Sequence, residues 1–147
     1  MKQILSNDII NQYMPTLVKC PLFNTLGEPE LRSYLNNAKV IIHSYKKNDF
    51  IALAGDPMEG IGVILEGSAL LTRENVMGQR VIMANLEQSD IFGEALLFSK
   101  QPLWPATIKA TKATKIMFIP LETFIKTLPD CHQCQTKILS NLLEDLS

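Results

Sequence analysis

The chain has 147 residues, 46% hydrophobic and 20% charged, with a net charge of −1, the make-up of one soluble globular domain. A pI near 6.1 argues against a segment that grips nucleic acid by itself, which needs clustered lysine and arginine. No apolar run reaches the length of a membrane span and no signal-peptide core opens the chain, which favours the cytoplasm; three cysteines cannot close a disulfide framework.

Residues 4–20 read as helical, because Ile4, Leu5, Ile9, Ile10, Tyr13 and Leu17 recur at helical spacing. Ser6 or Asn7 can cap that helix, and Met14-Pro15 is expected to split it in two, since a residue before proline avoids the α region. A proline-punctuated link, Cys20–Leu26, leads to a second helix over Pro29 to Asn36 that buries Leu31, Tyr34 and Leu35. From Val40 the rhythm shortens. Strands are predicted at Val40–Tyr45, Phe50–Ala54, Gly60–Glu66, Ser68–Arg73, Arg80–Leu86, Trp104–Ala110 and Lys115–Ile119, with a strand end at Ile91-Phe92. Turn residues such as Gly55-Asp56-Pro57 and Asn75–Gly78 separate them. About eight short strands at regular spacing predict a roll, sandwich or barrel, and the lack of alternating long helices disfavours a doubly wound sheet.

Pro120 closes the β region. A short helix is expected over Leu121–Thr127, stopped by Pro129, and a last helix over Cys131 to Leu146. On that helix Ile138, Leu139, Leu142, Leu143 and Leu146 gather on one face, more apolar than a surface helix needs. The organisation is therefore one domain: helices over 1–37, a β-roll over 38–120 and helices over 121–147.

The stretch around which the rest is arranged is Ile91-Phe92-Gly93-Glu94-Ala95-Leu96-Leu97-Phe98, followed by Trp104-Pro105-Ala106-Thr107-Ile108-Lys109-Ala110. Gly93 lets the backbone approach a ligand closely, and a short helix after it turns unpaired N–H groups toward the same spot, a seat for an anion. Glu94 stands where a carboxylate can accept hydroxyl hydrogen bonds. Ala106, Ile108 and Ala110 should face inward, with Thr107 and Lys109 outward.

This combination resembles the phosphate-binding cassette of cyclic-nucleotide-binding domains, in particular the sensor domain of Crp/Fnr-type transcription regulators. The resemblance implies a double-stranded β-helix (jelly roll), mostly β with flanking helices, followed by the start of a dimerisation helix. It also implies glycine amides and a helical turn around a cyclic phosphate, a glutamate on the ribose hydroxyl, and an arginine that neutralises the phosphate. Phe92, Gly93, Glu94 and Ala106 match in place and spacing. Trp104 stands where the arginine belongs, and Pro105 where a hydroxyl residue is usual. Cys20-Pro21-Leu22-Phe23 likewise resembles the approach to the Crp/Fnr roll.

The resemblance implies a small-molecule effector held by Gly93, Glu94, Ala95 and Leu96 on one side and Trp104, Pro105 and Ala106 on the other, with Gln135, Ile138 and Leu142 closing it from the last helix. Without the arginine, tight cyclic-AMP binding is not expected, because an unpaired buried charge is costly; Lys109 should point to solvent, and Lys100 is a loop residue that could stand in. Ile138, Leu139, Leu142, Leu143 and Leu146 would hold a homodimer. DNA would be met only by a helix-turn-helix beyond these residues, so the chain is expected to be a sensor-domain fragment, and no membrane contact is expected.

Two other readings stay open. A thiol or metal-responsive module would use the CxxC pair Cys131 and Cys134 with Cys20 or His132, although one pair does not make a zinc ribbon. A ligand-free dimerisation domain would have Trp104 filling a dead pocket. An enzyme is not expected: His43 and His132 are the only histidines, too few for a metal-dependent cupin, and neither Gly-x-Ser-x-Gly, a Walker loop nor HExxH is present.

Overall fold

The computed structural model describes residues 2–97, 99–124 and 132–146. Nine strands among them form two antiparallel sheets. The first runs β1 (Lys2–Ile4), β2 (Ile41–Tyr45), β9 (Thr114–Pro120), β4 (Gly60–Glu66) and β7 (Ile91–Phe92); the second runs β3 (Phe50–Ala52), β8 (Thr107–Ala110), β5 (Ser68–Glu74) and β6 (Arg80–Glu87). Helices α1 (Asn7–Leu17), α2 (Glu28–Asn37) and α3 (His132–Leu146) flank this roll. The predicted jelly roll with flanking helices is what the chain forms.

Alternation explains the layers. In β4, Ile61, Val63 and Leu65 face the helices, while Ile64 faces the second sheet; in β9, Met117 and Ile119 face the helices, while Ile116 and Phe118 face inward. Both faces of the two strands are buried, so they read as the near-continuous apolar runs Ile61–Leu65 and Ile116–Ile119. The helices supply Ile10, Leu17, Leu31, Leu35, Ile138 and Leu142 to the first core.

The N-terminal region departs from expectation. Residues 2–4 form a strand paired with β2, Gln3 opposite Ile42, rather than a first helical turn. Ser6 explains the boundary: its extended backbone and its side chain, which accepts from the Ile9 N–H at 3.3 Å, fix the helix start at Asn7. Nor does Pro15 split the helix. It lies two residues before the end of α1, so little helix remains beyond it to be broken off by its lost backbone bond and its crowding of the carbonyl four residues back. The end of α1 is then tied to the roll, because Ser89 Oγ donates to the Thr16 carbonyl at 2.8 Å and Gln88 Nε2 to Thr16 Oγ1 at 3.1 Å. Those two residues form the turn that delivers the chain into β7.

At the other end, the second short helix is a 3₁₀ turn over Leu121–Phe124; its predicted extension to Thr127, the stop at Pro129 and Cys131 lie outside the described residues. The apolar stripe of α3 does not stay together as one dimer face. Ile138 and Leu142 are buried in the domain's own core, Leu139 packs partly against it, and Leu143 and Leu146 are 61% and 42% exposed. Among the described residues no helix is long and apolar enough to cross a membrane.

Candidate effector-binding cassette

Strand β7 pairs with β4, Phe92 opposite Gly62. The Phe92 ring lies directly on Gly62, where any side chain would collide with it. The chain then turns sharply at Gly93, whose φ of +90° suits glycine. Glu94–Leu96 make a single 3₁₀ turn, with the Leu96 N–H bonded to the Gly93 carbonyl and the Leu97 N–H to the Glu94 carbonyl, both at 3.3 Å.

Opposite this turn, Trp104 is held by the backbone. Its N–H donates to the Asp56 carbonyl, its carbonyl accepts from the Gly55 N–H, and the Met58 N–H donates to the Pro102 carbonyl, all at 2.8 Å. The 55–58 and 102–104 segments thus form a short antiparallel clamp, with Pro57 bridged to Leu103. The clamp drives the indole inward to 7% exposure, with its ring centroid 5.7 Å from that of Phe92. A Cβ on Gly93 would lie 3.3 Å from indole Cη2 and Cζ3 and 2.9 Å from Met58 Cε. The side of Gly93 on which a Cβ would stand is covered by Trp104 and Met58.

Glu94 faces a different neighbour. The start of its turn packs against α3, and its Oε2 is buried without a hydrogen-bond partner. Burial pushes its carboxyl above the usual carboxylate range; a bond from its own backbone N–H pulls the other way, and the nearby Asp145 carboxylate adds to the rise. Two carboxylates near this turn repel an anion rather than seat one.

The remaining predicted residues separate. Leu96 packs against the same core as Trp104, and Ala106 is buried beside β8. Ala95 is exposed, and Pro105 is exposed on the outer face of the second sheet, where it lines a groove with Phe50, Thr107 and Lys109. Proline at 105 follows the buried Trp104 and so falls on the opposite side of the chain. Lys109 lies over the Phe50 ring at 5.6 Å, on that outer face. Gln135 turns away from the cassette and donates from Nε2 to the Thr123 carbonyl at 2.9 Å. Lys100 is exposed. Cys20 and Cys134 are buried; the Cys134 thiol donates to the Glu30 carbonyl at 3.5 Å, and burial pushes the Cys20 thiol up to about 12. Among the described residues no group of three or more His, Cys, Asp and Glu is placed to hold a metal ion.

Sequence reading missed Met58 and Asp145. Nothing in the pattern marks Met58, which follows a proline turn without periodicity. Asp145 had a signal: Ile138, Leu142 and Asp145 stand at i, i+4 and i+7, on one helix face.

Comparison with known proteins accords with this geometry. The cyclic nucleotide-binding domain model matches residues 42–130. The chain is 29% identical over 123 residues to the cAMP-activated global transcriptional regulator CRP of Pasteurella multocida, covering 82% of this chain and 58% of that protein. It spans a little over half the length of the curated relatives it matches. Its fold is similar to the sensor domain of the transcriptional regulator DNR from Pseudomonas aeruginosa, with a TM-score of 0.74 at 19% identity over 95% of this chain and 89% of that one. It is also similar to the regulatory subunit of a cAMP-independent protein kinase A from Trypanosoma brucei, with a TM-score of 0.73 at 17% identity over 92% and 46%. With that family model spanning more than half of its length, the chain belongs to the cyclic nucleotide-binding domain family.

Proposed function

We propose that the chain is the effector-sensing domain of a Crp/Fnr-type transcription regulator whose cassette does not take a cyclic phosphate. The observation that carries this reading is the indole of Trp104, packed on Gly93 in place of an arginine. A phosphate there would be buried without a cation, at several kcal/mol, and would meet Glu94 and Asp145 as like charges. The effector is instead a small neutral or aromatic molecule that competes with the Trp104 ring for the space over Gly93.

Helix α3 is the element that would report occupancy. It touches the cassette turn, buries Ile138 and Leu142 in the first core, and leaves Leu143 and Leu146 exposed beside Leu139. Those three leucines sit at i, i+4 and i+7, the spacing of a seam for a second copy. An effector must bind two placements of α3 with different affinity, or nothing is transmitted. DNA contact belongs to the part of the relatives that these residues do not span.

Calorimetry of the unaltered chain with cyclic AMP and cyclic GMP tests the reading. No heat is expected with either nucleotide, and micromolar binding of either would overturn it. The closed space over Gly93 also favours a second reading, a ligand-free dimerisation domain. A dimer by sedimentation in which no compound of a neutral and aromatic fragment set shifts the Trp104 indole resonance would select that reading. The buried Cys20 thiol lends no support to a redox module.

A further inference from the structure

A cavity of about 200 Å³ lies where β2 and β9 meet the 51–59 segment. His43, Tyr45, Trp104, Phe118, Asp56 and Glu59 are among the residues that line it, and no lysine or arginine does. His43 is the hub of the ring array: it stacks with Tyr45 at 6.2 Å and 28°, and meets Phe118 edge-on at 5.6 Å and 79°. Among the described residues the side chains of Asp56 and Glu59 make no hydrogen bond or ion pair. Glu59 is close enough to act on the ring wall. The Tyr45 hydroxyl is pushed up to about 12, by burial first and then by the Glu59 and Asp49 carboxylates.

The chemistry of these walls is selective. Aromatic faces attract a cation through their quadrupoles when it lies within about 6 Å of a ring centroid. Two carboxylates without partners add a counter-charge at the rim, where water still screens it in part. The volume is too small for a nucleotide and suits a single head group. We propose that this pocket binds a small organic cation, a methylated ammonium group held against the rings and balanced by Asp56 and Glu59. The assignment does not rest on the reading of the cassette, because none of these six residues belongs to the 93–96 turn. Trp104 alone is shared: its indole covers Gly93, and the residue also lines this pocket.

Trp104 is the chain's only tryptophan, so its fluorescence reads occupancy directly. The full chain is titrated with choline chloride at constant ionic strength. A saturable change is expected, on the order of millimolar, with no saturation by sodium chloride or by the neutral isostere 3,3-dimethylbutan-1-ol. The double variant Asp56→Asn, Glu59→Gln should weaken binding about tenfold. Both carboxylates are exposed, so its melting temperature should match that of the unaltered chain. Phosphatidylcholine vesicles separate the two sources of the group: pelleting that free choline competes away assigns a lipid head group, and no pelleting assigns a free cation. A choline response no different from that to sodium chloride or the isostere, or full affinity in the double variant, would overturn the proposal.

Discussion

The core under the helices and the core between the sheets are made of different material. The first is largely aliphatic and closed on every side, with Ile10, Leu17, Leu22, Leu31, Leu35, Ile61 and Leu142 at 1% exposure or less. The second is smaller and aromatic, with Phe92, Trp104 and Phe118 meeting at ring distances of 5.7 and 6.0 Å. It also abuts the cassette glycine and an open pocket. One core holds the fold; the other lies at the turn that the family resemblance marks as a ligand site. A ring in that position is both a stability element and a plug, and a substitution there should do two things at once.

The largest expected effect is on that ring. Trp104→Ala should lose about 3–5 kcal/mol in urea unfolding and leave a cavity that free indole refills, with part of the stability restored. Leu31→Ala in the first core should lose about 2–5 kcal/mol, with no recovery on adding indole. Equal rescue of both variants would erase the distinction between the cores. Gly93→Ala comes next, at about 1–3 kcal/mol, because its φ is +90° and the new Cβ would press on Met58. A neutral result would mean that the turn relaxes and Met58 moves aside.

How much of this was legible beforehand follows from periodicity. The β-roll was readable because each strand alternates or runs fully apolar between turn residues, and β4 was predicted to the residue. The α1 boundary at Ser6 could be read as a cap, but the strand before it could not, since three residues carry no period and pair only because the edge of β2 receives them. Within the cassette, Gly93 and Trp104 could be set on two sides of one pocket only through the family resemblance. The outward turn of Pro105 and the intrusion of Met58 depend on the 55–58 clamp, which joins two proline-containing loops and leaves no sequence rhythm. The stripe on α3 was visible as apolar; its division between own core and free surface needed the partner elements in place.

The smallest expected effect concerns Glu94. Its carboxyl titrates above its ordinary value of 4.5, so the folded chain binds that proton more strongly than the unfolded chain. Stability therefore declines as pH rises from the ordinary carboxylate range through the raised value, and levels off above it. Glu94→Gln should abolish that decline and raise the melting temperature slightly at pH 7. A fall in melting temperature instead would show that the ionised carboxylate is needed where it sits.

On the proposed reading, Trp104 both covers the cassette glycine and removes the phosphate's charge partner. Calorimetry of Trp104→Arg with cyclic AMP tests it most directly, with Trp104→Ala alongside to separate space from charge. No binding is expected by the unaltered chain, little by Trp104→Ala and measurable binding by Trp104→Arg, each on protein with a cooperative melt. Binding by the unaltered chain, or none by a folded Trp104→Arg, would contradict it.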